Sequence, residues 1–272
     1  MNVISLGDET TVRLAMFLLV FLALAITERI WPCRQHGLWV HRWLNNLSLS
    51  VINTLCLRLL TPWSATMFAL FIVDEKASVV AMHEWQFWLS VVTFVLLFDL
   101  TIYTQHRLFH VIGPLWHFHR VHHTDLEYDV TTGMRFHPIS IMISMAIKLL
   151  LVLLLGPLPV AVLIAEVLLN ATSMFNHSNI RLPPRLEKAL RYVIVTPDMH
   201  RIHHSTLTGE HGANFGFNFP WWDRLFGSYL ENPSVSHAEM SIGIDGYGVD
   251  WSVRLDRLLW QPMRRDDGTE QE

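Results

Sequence analysis

Eight histidines fall into three short clusters whose spacing suits metal ligation. His106 and His110 stand four apart in HRLFH; His119, His122 and His123 occupy i, i+3 and i+4 in HFHRVHH; and the same HxxHH spacing returns at His200, His203 and His204 in HRIHH. On a helix, residues three and four apart share a face with Cβ atoms about 5–6 Å apart, so two imidazoles can converge on one ion or on a close pair. Neutral imidazole suits zinc, copper, iron and nickel, and eight clustered rings exceed the needs of one tetrahedral site, which makes two ions the simplest count. The two cysteines, Cys33 and Cys56, supply neither a disulfide framework nor a thiolate zinc site. Ligand type alone leaves iron and zinc both open, because the usual oxygen-activating site pairs two histidines with a carboxylate.

The segments that must position these rings are apolar. With 51% hydrophobic and 16% charged residues over 272 positions, the chain is too apolar for an ordinary soluble domain of its size. A net charge of -4 and scattered Lys/Arg residues exclude a broad basic field for nucleic acid. A helix crosses the hydrocarbon core with about 20 apolar residues. Val12 to Ile26, Leu47 to Val73 and Trp85 to Tyr103 meet that need, and Val12 to Ile26 lacks a signal-peptide cleavage site, which reads as a retained span. Arg58 and Pro62 interrupt the second stretch and predict a kinked or tilted helix whose arginine faces protein or an interface, since a lipid-exposed arginine at mid-depth costs about 2.5–3.5 kcal/mol. Ile139 to Leu155 and Val160 to Met174 read as a helical hairpin turned by Gly156-Pro157-Leu158-Pro159.

Arg29, Arg34 and Arg42 follow the first span, whereas Asp74, Glu75 and Glu84 with the single Lys76 follow the second. The positive-inside bias then places the first connection in the cytoplasm and the N-terminus outside, and it brings every histidine cluster to the cytoplasmic side. Trp31, Trp39, Trp43, Trp85 and Trp88 fit interfacial positions. The expected class is all-α: an integral membrane protein with transmembrane helices and hairpins beneath a cytoplasmic helical cap that carries a histidine-rich dimetal site. The expected organisation is N-terminal membrane helices over 1–84, a catalytic domain over 85–244 and a tail over 245–272, with a disordered polar end from Arg264 to Glu272.

The ordered set of motifs resembles the fatty acid hydroxylase/sterol desaturase superfamily. The resemblance rests on DLTIYTQHRLFH, LWHFHRVHH followed by RFHP, then FNHSN, TPDMHRIHHS, NFGFNFPWWDRLFGSY and a closing IGI, and it runs from about Trp85 to Ile244. It implies a membrane-bound non-haem di-iron oxygenase that uses O2 and electrons from a separate reductase to hydroxylate or desaturate a lipid such as a sterol or fatty acyl chain. Carried over residue by residue, the ligand set is His106, His110, His119, His122, His123, His200, His203 and His204, with His177 of FNHSN and His137 of RFHP as further ligands. His117 is read as a neighbour, and His36, His41, His83, His211 and His237 as ordinary surface or interface residues.

Asp99 and Asn214 are the residues placed beside the chemistry. Asp99, Tyr103, His106 and His110 are spaced four, three and four apart on one helix face, so the Asp99 carboxylate is positioned to accept a hydrogen bond from a ligand imidazole and fix its tautomer. Asn214, Asp125, Asp129 and Asp198 lie near the clusters and are candidates for similar support. Asp223 and Arg224 read as a structural clamp. The sequence has neither a GxGxxG fingerprint nor a CxxCH haem motif, so reducing equivalents are expected from another protein. The compact length without an appended electron-carrier domain points to a bacterial cytoplasmic membrane, with the endoplasmic reticulum as the alternative. Competing readings are a zinc or iron transporter, a zinc-dependent lipid hydrolase, and an inactive scaffold. A transporter would place ionisable residues within the spans near the midplane, whereas these histidines lie beyond the span ends.

Overall fold

The computed structural model describes residues 6–264 apart from positions 36, 38 and 62; His36, Pro62 and the polar end at 265–272 lie outside the described residues. The regular elements of the described residues are helices: α1 (Leu6–Ile30), α2 (Trp39–Leu60), α3 (Ala65–Asp74), α4 (Phe87–Val111), α5 (Gly113–His123), α6 (Pro138–Leu155), α7 (Pro159–Asn176), α8 (Pro184–Leu190), α9 (Pro197–His203), α10 (Thr208–His211), α11 (Trp221–Phe226), α12 (Val249–Ser252) and α13 (Leu255–Trp260). Extended pairing among the described residues is limited to two isolated bridges, Pro32 with Ile180 and Ser205 with Ile242.

Five helical stretches are long and apolar enough to cross a membrane: Asp8–Ile30, Val40–Asp74, Phe87–Val111, Pro138–Leu155 and Pro159–Asn176. They correspond to the spans expected from hydropathy. The second is broken as Arg58 suggested: α2 stops at Leu60, and α3 restarts behind Ser64, whose hydroxyl accepts a hydrogen bond from the Met67 amide. The α6–α7 hairpin turns at Gly156, which holds φ at 57° in the left-handed region that a glycine adopts without a Cβ clash.

Helices α3, α4, α6 and α7 share a core of Ala69, Phe94, Phe98, Val152, Ala161 and Ala165. The small alanines on α3 and α7 let these backbones approach closely, as packing in a bilayer favours. Leu14, Leu19, Leu22 and Ile26 of α1 face outward, which suits a lipid-facing surface.

The ends of α1, α4 and α7 meet at one end of the bundle, where the short helices form a cap. Glu28 near the end of α1 accepts hydrogen bonds from the Val130 and Asn179 amides, each at 3.1 Å. The Arg42 guanidinium on α2 is fully buried and bonds to Asp125 and to Asp129, the latter at 2.8 Å. Bidentate charge-assisted bonds of this kind fix geometry as well as adding energy. The connection after the first span and all the histidine clusters therefore lie on one side.

Candidate metal centre

Four elements deliver the histidines, and three of them start with a proline that pre-sets the first helical turn. Helix α4 ends with His106 and His110, α5 carries His119, His122 and His123 behind Pro114, α7 hands over to His177, and α9 carries His200 and His203 with His204 as its cap behind Pro197. Thr196 fixes the start of α9 by accepting from the Met199 amide.

The rings sort into two groups, His106, His110, His119, His123 and His203 in one and His122, His177, His200 and His204 in the other; within each, one nitrogen per ring lies within 4.8 Å of all the rest. Each HxxHH segment serves both groups. On α5 the i, i+4 pair His119 and His123 joins the first group and His122 the second; on α9 the i, i+4 pair His200 and His204 joins the second and His203 the first. A helix turns 100° per residue, so the i+3 and i+4 rings lie on opposite flanks of the i residue and can reach different centres.

The hydrogen bonds of the rings test whether cations fit. His106 Nδ1 lies 2.8 Å from the Phe215 carbonyl and His203 Nδ1 2.7 Å from the Ala213 carbonyl, so in both rings Nδ1 carries the hydrogen. Their Nε2 atoms then bear lone pairs, yet they face each other at 3.0 Å. In the second group, His177 Nδ1 donates to Ser173 O at 2.7 Å, and its bare Nε2 meets His122 Nε2 at 3.0 Å and His200 Nε2 at 3.1 Å. Opposed lone pairs repel unless a cation lies among them, and cis donors about 2.1 Å from a metal ion stand about 3 Å apart. The buried Nε2 atoms of His110 and His204 have no protein partner, which fits the same conclusion. Burial pushes the imidazoles of His119, His122, His123, His200, His203 and His204 well below the usual range, and His177 down to about 3. All stay neutral and ready to ligate at pH 7.

The supporting contacts differ from two expectations. Asp99 bonds to no imidazole: its carboxylate accepts from the Asn218 and Phe219 amides at 3.0 and 3.2 Å and from the Trp222 indole at 2.8 Å. It pins the loop whose Phe215 carbonyl orients His106. Asn214 also lies outside the reacting space. At φ 55° it donates to the Met199 and Leu230 carbonyls and accepts from the Leu230 amide, and so holds Ala213 and Phe215 on either side of it. Asp223 clamps the same loop by accepting from the Phe215 and Gly216 amides, each at 2.8 Å; burial pushes its carboxyl up to about 6 against the bonds from Ser228, Gly216 and Phe215. Burial would raise the Asp125 carboxyl beside His123, but Arg42 and Arg135 bring it down to about 2.

His137 is not brought to either group. Its Nδ1 accepts from the Ile139 amide as the N-cap of α6 and its Nε2 donates to the Leu259 carbonyl at 3.3 Å, so both nitrogens are spent. His117 and His41 stay outside both groups, His83 bonds to the Gly156 carbonyl, and His237 stands 3.9 Å from Asp198. His211 departs from the surface role expected of it: its ring centroid lies 4.6 Å from that of His123 and 4.8 Å from that of His110, and it stacks on His203. It sits eight residues after His203 and across a turn, where helical spacing carries no signal.

A cavity of about 990 Å³ opens beside the first group. His106, His119, Phe109, Phe136 and Phe217 form its inner end, and it extends between the membrane-type helices to Trp63 and Ser64 at the α2–α3 break. Gly133 also lines it; a Cβ there would sit 2.6 Å from the Ser173 carbonyl that orients His177.

Helical spans, two imidazole groups at one end, each placed so that it could hold a metal ion, and an adjoining cavity define a membrane-type helical protein with a candidate dimetal centre. The fatty acid hydroxylase family model matches residues 91–228, slightly more than half of the chain, and the chain belongs to that family. It is 33% identical over 166 residues to an ornithine lipid hydroxylase of Rhizobium tropici, covering 60% of this chain and 48% of the relative. It is 30% identical over 186 residues to an alkylglycerol monooxygenase of Danio rerio, covering 68% and 40%, and 29% identical over 146 residues to that of Xenopus tropicalis, covering 54% and 31%. The chain thus spans about half or less of the length of these relatives. No solved structure matches it.

Proposed function

We propose that this protein is an integral-membrane, O2-dependent lipid hydroxylase with two iron ions at the cytoplasmic face, supplied with electrons by a separate reductase. The observation that carries the reading is the division of nine imidazoles into two groups beside a cavity that reaches between membrane-type helices. The family match and relatives named as a lipid hydroxylase and as monooxygenases support oxygen insertion over desaturation.

His106, His110, His119, His123 and His203 would hold one iron and His122, His177, His200 and His204 the other. Bound iron supplies the oxidant that breaking an unactivated C–H bond requires, which no side chain can provide. The chain's own part is positional. The Phe215, Ala213 and Ser173 carbonyls fix ring tautomers, so that no ligand has to reorganise. Phe109, Phe136 and Phe217 line the inner end of the cavity beside His106 and His119, where their rings would keep water out and hold the substrate carbon.

Iron content and Mössbauer spectra of iron-57-labelled protein purified in mild detergent test the centre, and incorporation of label from ¹⁸O2 into membrane lipids, with an added reductase system, tests the reaction. Two irons per chain and a labelled hydroxyl lipid are expected. Stoichiometric zinc after iron-replete growth, with no label incorporated, would replace the reading with a zinc-dependent hydrolase or a transporter.

A further inference from the structure

The far end of the same cavity is not apolar. Glu9 and Arg13 of α1, Arg58 of α2, Lys148 of α6 and Glu166 of α7 line it, all within the membrane-type segments. Arg13 bonds to Glu9 at 2.8 Å and to Glu166 at 2.6 Å, and Lys148 bonds to Glu166 at 2.7 Å. Ser64 donates to the second Glu9 oxygen at 2.9 Å. Every carboxylate oxygen in the cluster therefore already accepts a bond from the protein.

The cations are not matched in this way. Arg13 uses Nε and Nη2, Lys148 uses one of three hydrogens, and Arg58 has an exposed side chain with no ion-pair partner among the described residues. Three cations against two saturated acids leave a net positive, donor-rich end on a cavity whose remaining lining mixes apolar side chains with neutral polar ones such as Asn53, Gln105, Ser144 and Asn170. An ion-pair network that only joins helices needs no excess of cations; Arg58, in the last turn of α2 where an arginine can also reach for the membrane interface, lines the cavity.

We infer that this cluster is a subsite for the anionic group of an amphiphile, a carboxylate or phosphate, whose chain runs along the cavity to the imidazoles. Ser140 and Lys148 both line the cavity eight residues apart on α6, and Glu166 and Ser173 seven apart on α7, so the two ends are separated by roughly 10–12 Å at a rise of 1.5 Å per residue. An extended chain advances about 1.2 Å per bond, three bonds spanning about 3.6 Å, so the carbon presented to the metals lies on the order of eight to ten bonds from the anion. The subsite rests on reading the cavity as the lipid site, but its test needs no turnover.

Equilibrium binding of tritiated palmitate and tritiated hexadecanol to the iron-loaded protein at pH 8, in a non-ionic detergent, separates charge from chain. Palmitate is expected to bind at least tenfold more tightly than hexadecanol, and 10 mM inorganic phosphate should leave it bound. Arg58→Gln should remove most of the preference with iron content and melting temperature unchanged; Lys148→Met, which also strips a bond from buried Glu166, should lower the melting temperature and still remove most of the preference, with iron content and hexadecanol affinity retained in both variants. Equal affinity for the two chains, or a preference that survives in both variants, would overturn the subsite. Displacement of palmitate by phosphate would overturn the amphiphile and leave a site for a free anion. Because none of these readouts involves oxygen insertion, a failed hydroxylase assay leaves them intact, and the reverse also holds.

Discussion

His106 and His203, from helices far apart in the sequence, point their Nε2 atoms at each other across 3.0 Å while their Nδ1 hydrogens are held by the Phe215 and Ala213 carbonyls. One short loop thus sets the tautomer of two rings in the first group, and Asn214 lies between the two carbonyls. Asn214→Ala removes three hydrogen bonds and leaves an alanine at φ 55°, a strained conformation for it. We expect metal affinity at the five-histidine group to fall by about 10–100-fold, the usual loss when support for a ligand is removed. Titration with a competing chelator checks this, and an affinity equal to wild type would refute the role.

The Asp99 carboxylate holds two backbone amides and an indole, so Asp99→Leu strands three donors, one buried and two part-buried. Each unsatisfied donor costs about 1–3 kcal/mol, and a loss of several kcal/mol of stability is expected. Asp99→Asn, which keeps one acceptor oxygen, should lose less. Thermal melts in detergent decide the order; equal melting temperatures for the two variants would argue that the loop is held by other contacts.

The two groups share both HxxHH segments but no histidine. His122→Ala should therefore lower metal content from two ions per chain to one and leave the five-histidine group loaded. Elemental analysis beside the Mössbauer spectrum reads this directly, and loss of both ions would mean that the centres fill cooperatively.

Acid should destabilise the metal-stripped protein early. Burial holds His177 at about 3 and His122, His123, His200 and His204 well below the ordinary 6.5. Below pH 6.5 the unfolded chain takes up protons that the folded one refuses, so stability falls with pH on the order of 1 kcal/mol per pH unit for each ring that stays neutral. Above pH 6.5 this source contributes no slope. Denaturant midpoints between pH 8 and pH 5 measure it, and a flat profile would show that the rings protonate without unfolding.

The sequence by itself determined the apolar spans and the histidine boxes. Apolar length marks the spans, GPLP marks the hairpin, and i, i+3, i+4 spacing marks faces of α4, α5 and α9, because these signals are local and depend only on helix geometry. The tertiary structure decided which ring joins which group, since that depends on how α4, α5, α7 and α9 are placed around one another. It also moved three residues from their expected places. His137 shares the RFHP signal but caps α6, His211 comes in across an irregular turn, and Asp99, on the same face as His106, reaches a loop more than a hundred residues away instead of the imidazole. Spacing along a helix says which direction a side chain leaves; what it meets there is set by chain that packs from elsewhere.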